Sequence, residues 1–249
     1  MKGVYTIWLR ETLRFVRSKS RMIGTLGMPL FFLLFIGGGI GSFVSSVGGV
    51  SYIAFMAPGI IGMMLLFGSM FSGLNVVADK QFGFMKEMLI APISREAIVL
   101  GKALGGATSA MLQALLLLVL VYLLGILPFN AWHFALLLPL MFIMSFGFVC
   151  IGIAFATQMD DPHGFQLIMN FLIMPMFFLS SAFFPIDSLP QWLQVLSLLD
   201  PMTYGVDALR NVLVGSAFLP LGVDAVVLTA FSAASVLAAG WLLRRMKTN

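Results

Sequence analysis

Few side chains in this sequence are equipped for chemistry, and their spacing keeps them apart. The 249 residues include ten Asp or Glu, two His and one Cys. His133 and His163 flank an apolar run long enough to cross a bilayer, so they are expected on opposite faces and cannot share a catalytic site. Asp160, Asp161 and His163 could be read as metal donors, but adjacent carboxylates before Pro162 fit a solvated turn, and no metal site is assigned. A phosphate-binding loop needs Gly-x-x-x-x-Gly-Lys-Ser/Thr; Gly101-Lys102 lacks both the upstream glycine and the hydroxyl residue. No catalytic residue, nucleotide site or cofactor of its own is therefore expected, and no nucleic-acid partner. Cys150 lies in the apolar run 141–156, which excludes an intramolecular disulfide and fits a small buried side chain.

The elements that carry these residues are built for lipid. The chain is 60% hydrophobic and only 10% charged, against roughly 25% charged in soluble domains. A helix rises about 1.5 Å per residue and the hydrocarbon layer is about 30 Å thick, so a crossing needs roughly 20 apolar residues. Six segments qualify: 22–42, 52–77, 103–127, 134–156, 165–184 and 221–243. The reading is an all-α integral membrane protein with one domain over 1–249. Pro29, Pro58, Gly105, Gly106, Pro139 and Pro175 are candidate kinks. Ion-coupled carriers place charges at bilayer depth, whereas here the centres hold only neutral polar residues such as Asn75, Gln113 and Asn170, expected to hydrogen-bond between helices.

Basic residues orient the crossings. Six Lys or Arg precede the first crossing, four lie between the second and third, and three follow the sixth, leaving only Arg210 on the other side. Short cytoplasmic loops retain basic residues, so both termini and the 79–102 loop are expected in the cytoplasm. Residues 1–21 carry a basic start without a cleavage pattern, so no removable signal peptide is expected. On a helical wheel Arg10, Arg14, Arg17 and Arg21 share one side and Val4, Tyr5, Trp8, Leu9, Phe15 and Val16 the other, the pattern of a helix lying at the cytoplasmic interface. Its basic face would meet anionic membrane lipids or a cytoplasmic partner.

The apolar stretch 185–220 resembles a seventh crossing, but Asp200-Pro201 divides it into pieces of about 14 residues, about 21 Å each and too short to span. A seventh crossing would also move the basic C-terminus outside. A re-entrant hairpin on the outer side is expected instead. In the 79–102 loop a short helix over 84–90, ended by Pro92, would turn Phe84, Met88 and Leu89 toward protein or membrane and Lys86 and Glu87 toward water. An apolar stub on the cytoplasmic side implies a partner.

Two stretches carry a family resemblance. The loop with Gly83, Glu87, Leu89, Pro92 and Ser94 resembles the cytoplasmic loop of type-2 ABC export permeases. The run Phe183-Phe184-Pro185-Ile186-Asp187-Ser188-Leu189-Pro190-Gln191-Trp192-Leu193, with Asp200-Pro201-Met202-Thr203-Tyr204-Gly205-Val206-Asp207-Ala208-Leu209-Arg210, is similar to that family's signature before its last helix. Asp79-Lys80-Gln81 departs from the Glu-Arg-Glu-like run of many relatives.

The resemblance implies a half-transporter that pairs with a second permease copy or a close relative and with two separate ATP-binding subunits, which hold the ATP and Mg. It implies that Gly83, Phe84, Glu87, Met88, Leu89 and Pro92 form the segment that docks on the ATPase. Pro185, Trp192, Asp200, Pro201, Tyr204, Asp207 and Arg210 would build the outer hairpin. The first and fifth crossings would lie near the partner subunit, and Gly24 and Gly27 in the first would permit close approach. The implied activity is export of a hydrophobic or amphipathic substrate, such as a drug, lipid or lipid-linked glycan, across a prokaryotic cell (inner) membrane. The alternative is a multi-pass assembly or signalling protein that uses the same loop to dock something other than an ATPase.

Overall fold

The structure, a computed structural model, describes residues 2–44, 46–47, 49–91 and 93–245. Helix α1 (Lys2–Val16) precedes a first crossing made of α2 (Lys19–Phe31), a π-helical stretch (Phe32–Gly37) and α3 (Gly38–Gly41). The second crossing is α4 (Tyr52–Phe71) continued by α5 (Gly73–Gln81), and the short α6 (Phe84–Ile90) follows. Then come α7 (Arg95–Leu123), α8 (Ala131–Gln158), α9 (Pro162–Leu179), α10 (Gln191–Leu199), α11 (Pro201–Val214) and α12 (Leu221–Arg245). Among the described residues six helical spans are long and apolar enough to cross a bilayer: Met22–Gly41, Tyr52–Gln81, Arg95–Leu123, Ala131–Gln158, Pro162–Leu179 and Leu221–Leu243. The chain is an all-α, multi-pass membrane protein.

The helix ends lie where caps put them, and this corrects the hydropathy boundaries. The third crossing starts eight residues earlier than its apolar run because Ser94 Oγ accepts from Ala97 N at 3.2 Å. The fifth starts at Pro162, where Asp161 accepts from His163 N and Gly164 N, and stops at Leu179 rather than 184 because Ser181 takes a left-handed φ of 58°. Of the candidate kinks, Pro29 lies just before the π-helical stretch; its missing N–H removes one rung of the ladder. Pro58, Pro139 and Pro175 lie inside continuous helices.

The second crossing is the hub. In its most apolar window 83% of residues are buried, against 17% in the first crossing and 22% in the fifth. Small residues let its neighbours close in: a Cβ at Gly59 would stand 2.7 Å from Ala182 Cα, and one at Gly62 3.0 Å from Met202 and Val206. The backbones of α5 and α8 meet at Gly73 and Gly152. One turn from Gly152 on α8, Phe148 packs against Phe231 with ring centroids 4.9 Å apart, joining α8 to α12. The first and fifth crossings thus keep most of their surface free of the rest of the chain.

Candidate functional site

Helix α1 docks on α7 through a stripe of which the sequence reading selected only Phe15. Ile7, Glu11 and Phe15, one turn apart, are buried, while Tyr5 and Val16, assigned to the apolar face, are 59% and 45% exposed. The cause is a glycine track. A Cβ at Gly101 would meet Ile7 Cβ at 2.7 Å, and one at Gly105 would meet Glu11 Cβ at 2.5 Å. Successive turns of α1 therefore match successive turns of α7, and the two helices run side by side in the same direction. The Trp8 indole N–H donates to Thr108 Oγ1 at 3.0 Å and fixes the register.

That docking gathers five charges where the sequence suggested separate roles. Arg10 Nη2 lies 3.2 Å and Arg14 Nη1 3.8 Å from Asp79 Oδ1, and Lys102 Nζ donates to Asp79 Oδ2. Glu11 Oε1 stands 3.6 Å from both Lys102 Nζ and Arg10 Nη1, within ion-pair range but without a hydrogen bond. Arg10 and Arg14 therefore turn toward Asp79, which corrects the expectation of one basic face directed at lipid or a partner. Arg17 stays exposed, and the side chain of Arg21 lies outside the described residues. Glu11, Asp79 and Lys102 are 7%, 2% and 5% exposed. Buried charges at such depth persist only when paired.

Sequence reasoning missed this cluster because its members come from three segments. One signal was available: Glu11 is the single acid of α1, on the same four-residue stripe as Ile7 and Phe15. A second pair ties the short loops together, with Lys80 Nζ 2.5 Å from Asp160 Oδ1 and 2.7 Å from the Met159 carbonyl. Asp160 is thus engaged with Lys80, while Asp161 caps α9.

Above the cluster a cavity of about 290 Å³ opens between α2, α4, α5 and α7. Its walls include Met28, Met63, Met64, Phe67 and Met174, with Glu11 and Arg14 of α1 at the end next to the charge cluster. Asn75 and Gln113, expected to hydrogen-bond between helices, line this cavity instead, and no hydrogen bond of either side chain is found among the described residues. Gly24 also lines it, and a Cβ at either Gly24 or Gly27 would meet nothing within 4 Å.

The α6 segment begins at Gly83, whose φ of 80° a side chain would strain. Its inward residue is Met85, 3% exposed, with Met88 half-buried; Phe84, expected inward, is 46% exposed beneath the Arg10 guanidinium, 5.6 Å from the ring centroid. The helix has seven residues, so one step of 100° separates Phe84 from Met85, and packing on α5 selects Met85. Glu87 is exposed, as are the apolar side chains of Phe82 and Ile90, at 73% and 85%. Pro92 and the side chain of Leu89 lie outside the described residues.

The hairpin residues split into two groups. Trp192 is 65% exposed, and Pro185 lines a second cavity, of about 230 Å³. Asp200 caps α11, accepting from Met202 N at 2.9 Å ahead of Pro201 at the first helical position, and Tyr204 Oη donates to the Leu198 carbonyl at 2.8 Å. Asp207 and Arg210 turn inward, at 1% and 4% exposed. Asp207 accepts from the backbone N–H groups of Phe218 and Leu219, closing the turn into α12. Arg210 donates to the Ser181 carbonyl at 2.8 Å and lies 3.9 Å above the Phe55 ring, tying α11 to the start of the second crossing and to the turn after the fifth.

Comparison with known proteins agrees with this architecture. Residues 2–214 match the ABC-2 type transporter family. Nodulation protein J of Rhizobium leguminosarum bv. viciae is 27% identical over 242 residues, covering 96% of this chain and 93% of that protein. The inner membrane transport permease YadH of Escherichia coli (strain K12) is 28% identical over 250 aligned residues, 96% of this chain and 94% of its own. A putative transport permease, ycf38, of Cyanophora paradoxa is 28% identical over 172 residues, 68% and 59% of the two chains. With its six apolar spans, the chain belongs to the ABC-2 type transporter family and is a multi-pass membrane transport subunit.

Proposed function

We propose that this chain is the permease subunit of an exporter that moves a hydrophobic or amphipathic molecule, such as a drug, a lipid or a lipid-linked glycan, outward across a prokaryotic inner membrane. ATP is hydrolysed with Mg by two copies of a separate ATP-binding subunit, and the permease works with a second copy or a close relative. Both termini and α6 face the cytoplasm, α1 follows the cytoplasmic end of the bundle, and α10 with α11 dips into the outer leaflet and returns. The inner-membrane name of YadH supports the location.

The observation that carries this reading is the exposed apolar corner of Phe82, Phe84 and Ile90 beside the buried charge cluster. A partner that covers this corner gains a few buried anchors, each worth about 1–2 kcal/mol or more. Through the Arg10 and Phe84 contact and the Asp79 bridges, its motion reaches α1 and α7 together. The domain is a single unit over 1–249, with the interface helix at 1–21, the coupling loop at 79–102 and the hairpin at 185–220.

The test is co-purification of the cognate ATPase with Phe84→Asp and Ile90→Asp chains at matched membrane levels, together with transport. Both variants should insert normally, lose most of the ATPase and stop transporting. Ile90→Asp with full ATPase binding and transport would remove α6 from the coupling. A chain that captures another partner and no ATPase would favour an assembly or signalling role.

A further inference from the structure

The cavity of about 290 Å³ has a chemical asymmetry that the exporter reading leaves unused. It is near the lower end of the roughly 300–1,000 Å³ that small-molecule pockets occupy. Its lining on the second crossing runs from Asn75 to Met63, twelve positions or about 18 Å of helix. At the inner end stand Glu11 and Arg14; beyond them lie the amides of Asn75 and Gln113; the deep wall is Met28, Met63, Met64 and Phe67. Thioethers and phenyl rings make an adaptable apolar surface suited to an alkyl chain rather than to one rigid shape. Amide groups at this depth normally find partners, and these two have none among the described residues.

The charges at the inner end do not balance. Among the described residues Arg10, Arg14 and Lys102 pair only with Glu11 and Asp79, which leaves one surplus positive charge there. Arg14 is the most loosely held: its one ion pair among the described residues spans 3.8 Å, its side chain is 45% exposed, and it lines the cavity. Lys102 is sealed at 4% exposure, and Arg10 is held at 3.2 Å by Asp79. A cation at the edge of an apolar cavity is most stable when an anion meets it.

We propose that this cavity binds an amphiphile with a single acidic head group, phosphate or carboxylate, which Arg14 receives while the alkyl chain lies against the methionine wall and the Asn75 and Gln113 amides bond polar groups near the head. The inference rests on the exporter reading for the ligand's role as cargo, but the binding needs only this chain. Glu11 repels the head from the inner side of the cavity and so selects a head with one phosphate or carboxylate over a head with two. The site takes its ligand from the cytoplasmic end of the bundle, where α1 forms the rim.

Photoreactive dodecyl phosphate, dodecyl trimethylammonium and dodecyl maltoside, added to the permease alone in zwitterionic nanodiscs, would test this. The phosphate probe should label peptides of α2, α4 and α7 around Met28, Met63 and Met64, roughly tenfold better than the cationic probe at equal concentration. Arg14→Gln should remove that preference while the maltoside labels as before, Arg14→Lys should retain most of it, and Met64→Trp should block labelling by all three. Unlabelled dodecyl phosphate should compete and inorganic phosphate should not. Equal labelling by cation and anion, an unaltered preference in Arg14→Gln, or displacement by inorganic phosphate would overturn the proposal. ATPase pull-down on the same proteins separates the two readings, because a chain that fails to bind ATPase but keeps the phosphate preference refutes the exporter and leaves this site standing.

Discussion

The Lys102 ammonium on α7 donates to Asp79 Oδ2 at the end of α5, with both side chains almost wholly withdrawn from solvent. Removing one member of a buried ion pair strands the other charge, at a typical cost of about 3–5 kcal/mol. Asp79→Ala should therefore destabilise the folded protein by about 3 kcal/mol or more, measured by denaturant unfolding in mixed micelles. The double variant Asp79→Leu with Lys102→Met should recover part of the loss. A double variant no better than Asp79→Ala would place the cost in Arg10 and Arg14 instead.

Gly105 and Glu11 set the spacing of α1 and α7. Any side chain at 105 meets Glu11 Cβ, so Gly105→Leu should lift α1 from its seat and break the Trp8 to Thr108 hydrogen bond. The expected readouts are a red shift of Trp8 fluorescence, in a background lacking the other tryptophans, and faster proteolysis near the N-terminus. Unchanged emission would mean that α1 does not depend on this track.

Gly27 offers a clean test of pairing with a second permease. It belongs to the crossing with the smallest buried share, and a Cβ there meets nothing in its own chain. Gly27→Leu should leave the monomer's stability within about 0.5 kcal/mol, as surface substitutions commonly do, while lowering the dimer fraction in cross-linking or light scattering. A fully dimeric Gly27→Leu protein would move the interface off this face. Gly24→Leu is less clean because Gly24 also lines the cavity.

Orientation can be read by cysteine labelling in a Cys150→Ser background. Ser188, exposed after the fifth crossing, should react with an impermeant reagent from outside intact cells, as should Ser216; exposed Ser94, which caps α7, should not. Labelling at Ser94 without permeabilisation would invert the map.

Arg210 binds carbonyl oxygens of Ser181 and Phe55 with a planar fork laid on the Phe55 ring. A lysine cannot copy that geometry. Arg210→Leu should destabilise by about 1.5–3 kcal/mol, the range for hydrogen bonds made by charged groups, with Arg210→Lys between it and the parent. Thermal unfolding of the three proteins gives the order, and a neutral Arg210→Leu would show the hairpin held by apolar packing alone.

The number of crossings, the helical class and the two short pieces around Asp200-Pro201 were legible in the sequence because a bilayer imposes a local rule. A crossing must be about 20 apolar residues long wherever it sits in the chain, and a proline after a capping acid restarts a helix whatever it packs on. Hydropathy could not place helix ends, since Ser94 and Asp161 cap their helices outside the apolar runs. Nor could periodicity choose between Phe84 and Met85, which differ by a single helical step, because the choice is made by the surface of α5. The partners of Glu11, Asp79 and Lys102 were beyond reach for a related reason: those residues are 23 to 91 positions apart, and only the glycine track on α7 brings α1 close enough to join them. Local chemistry decided where this chain becomes helical and apolar. Close packing between distant helices decided which charges are buried together and where a cavity remains open beside them.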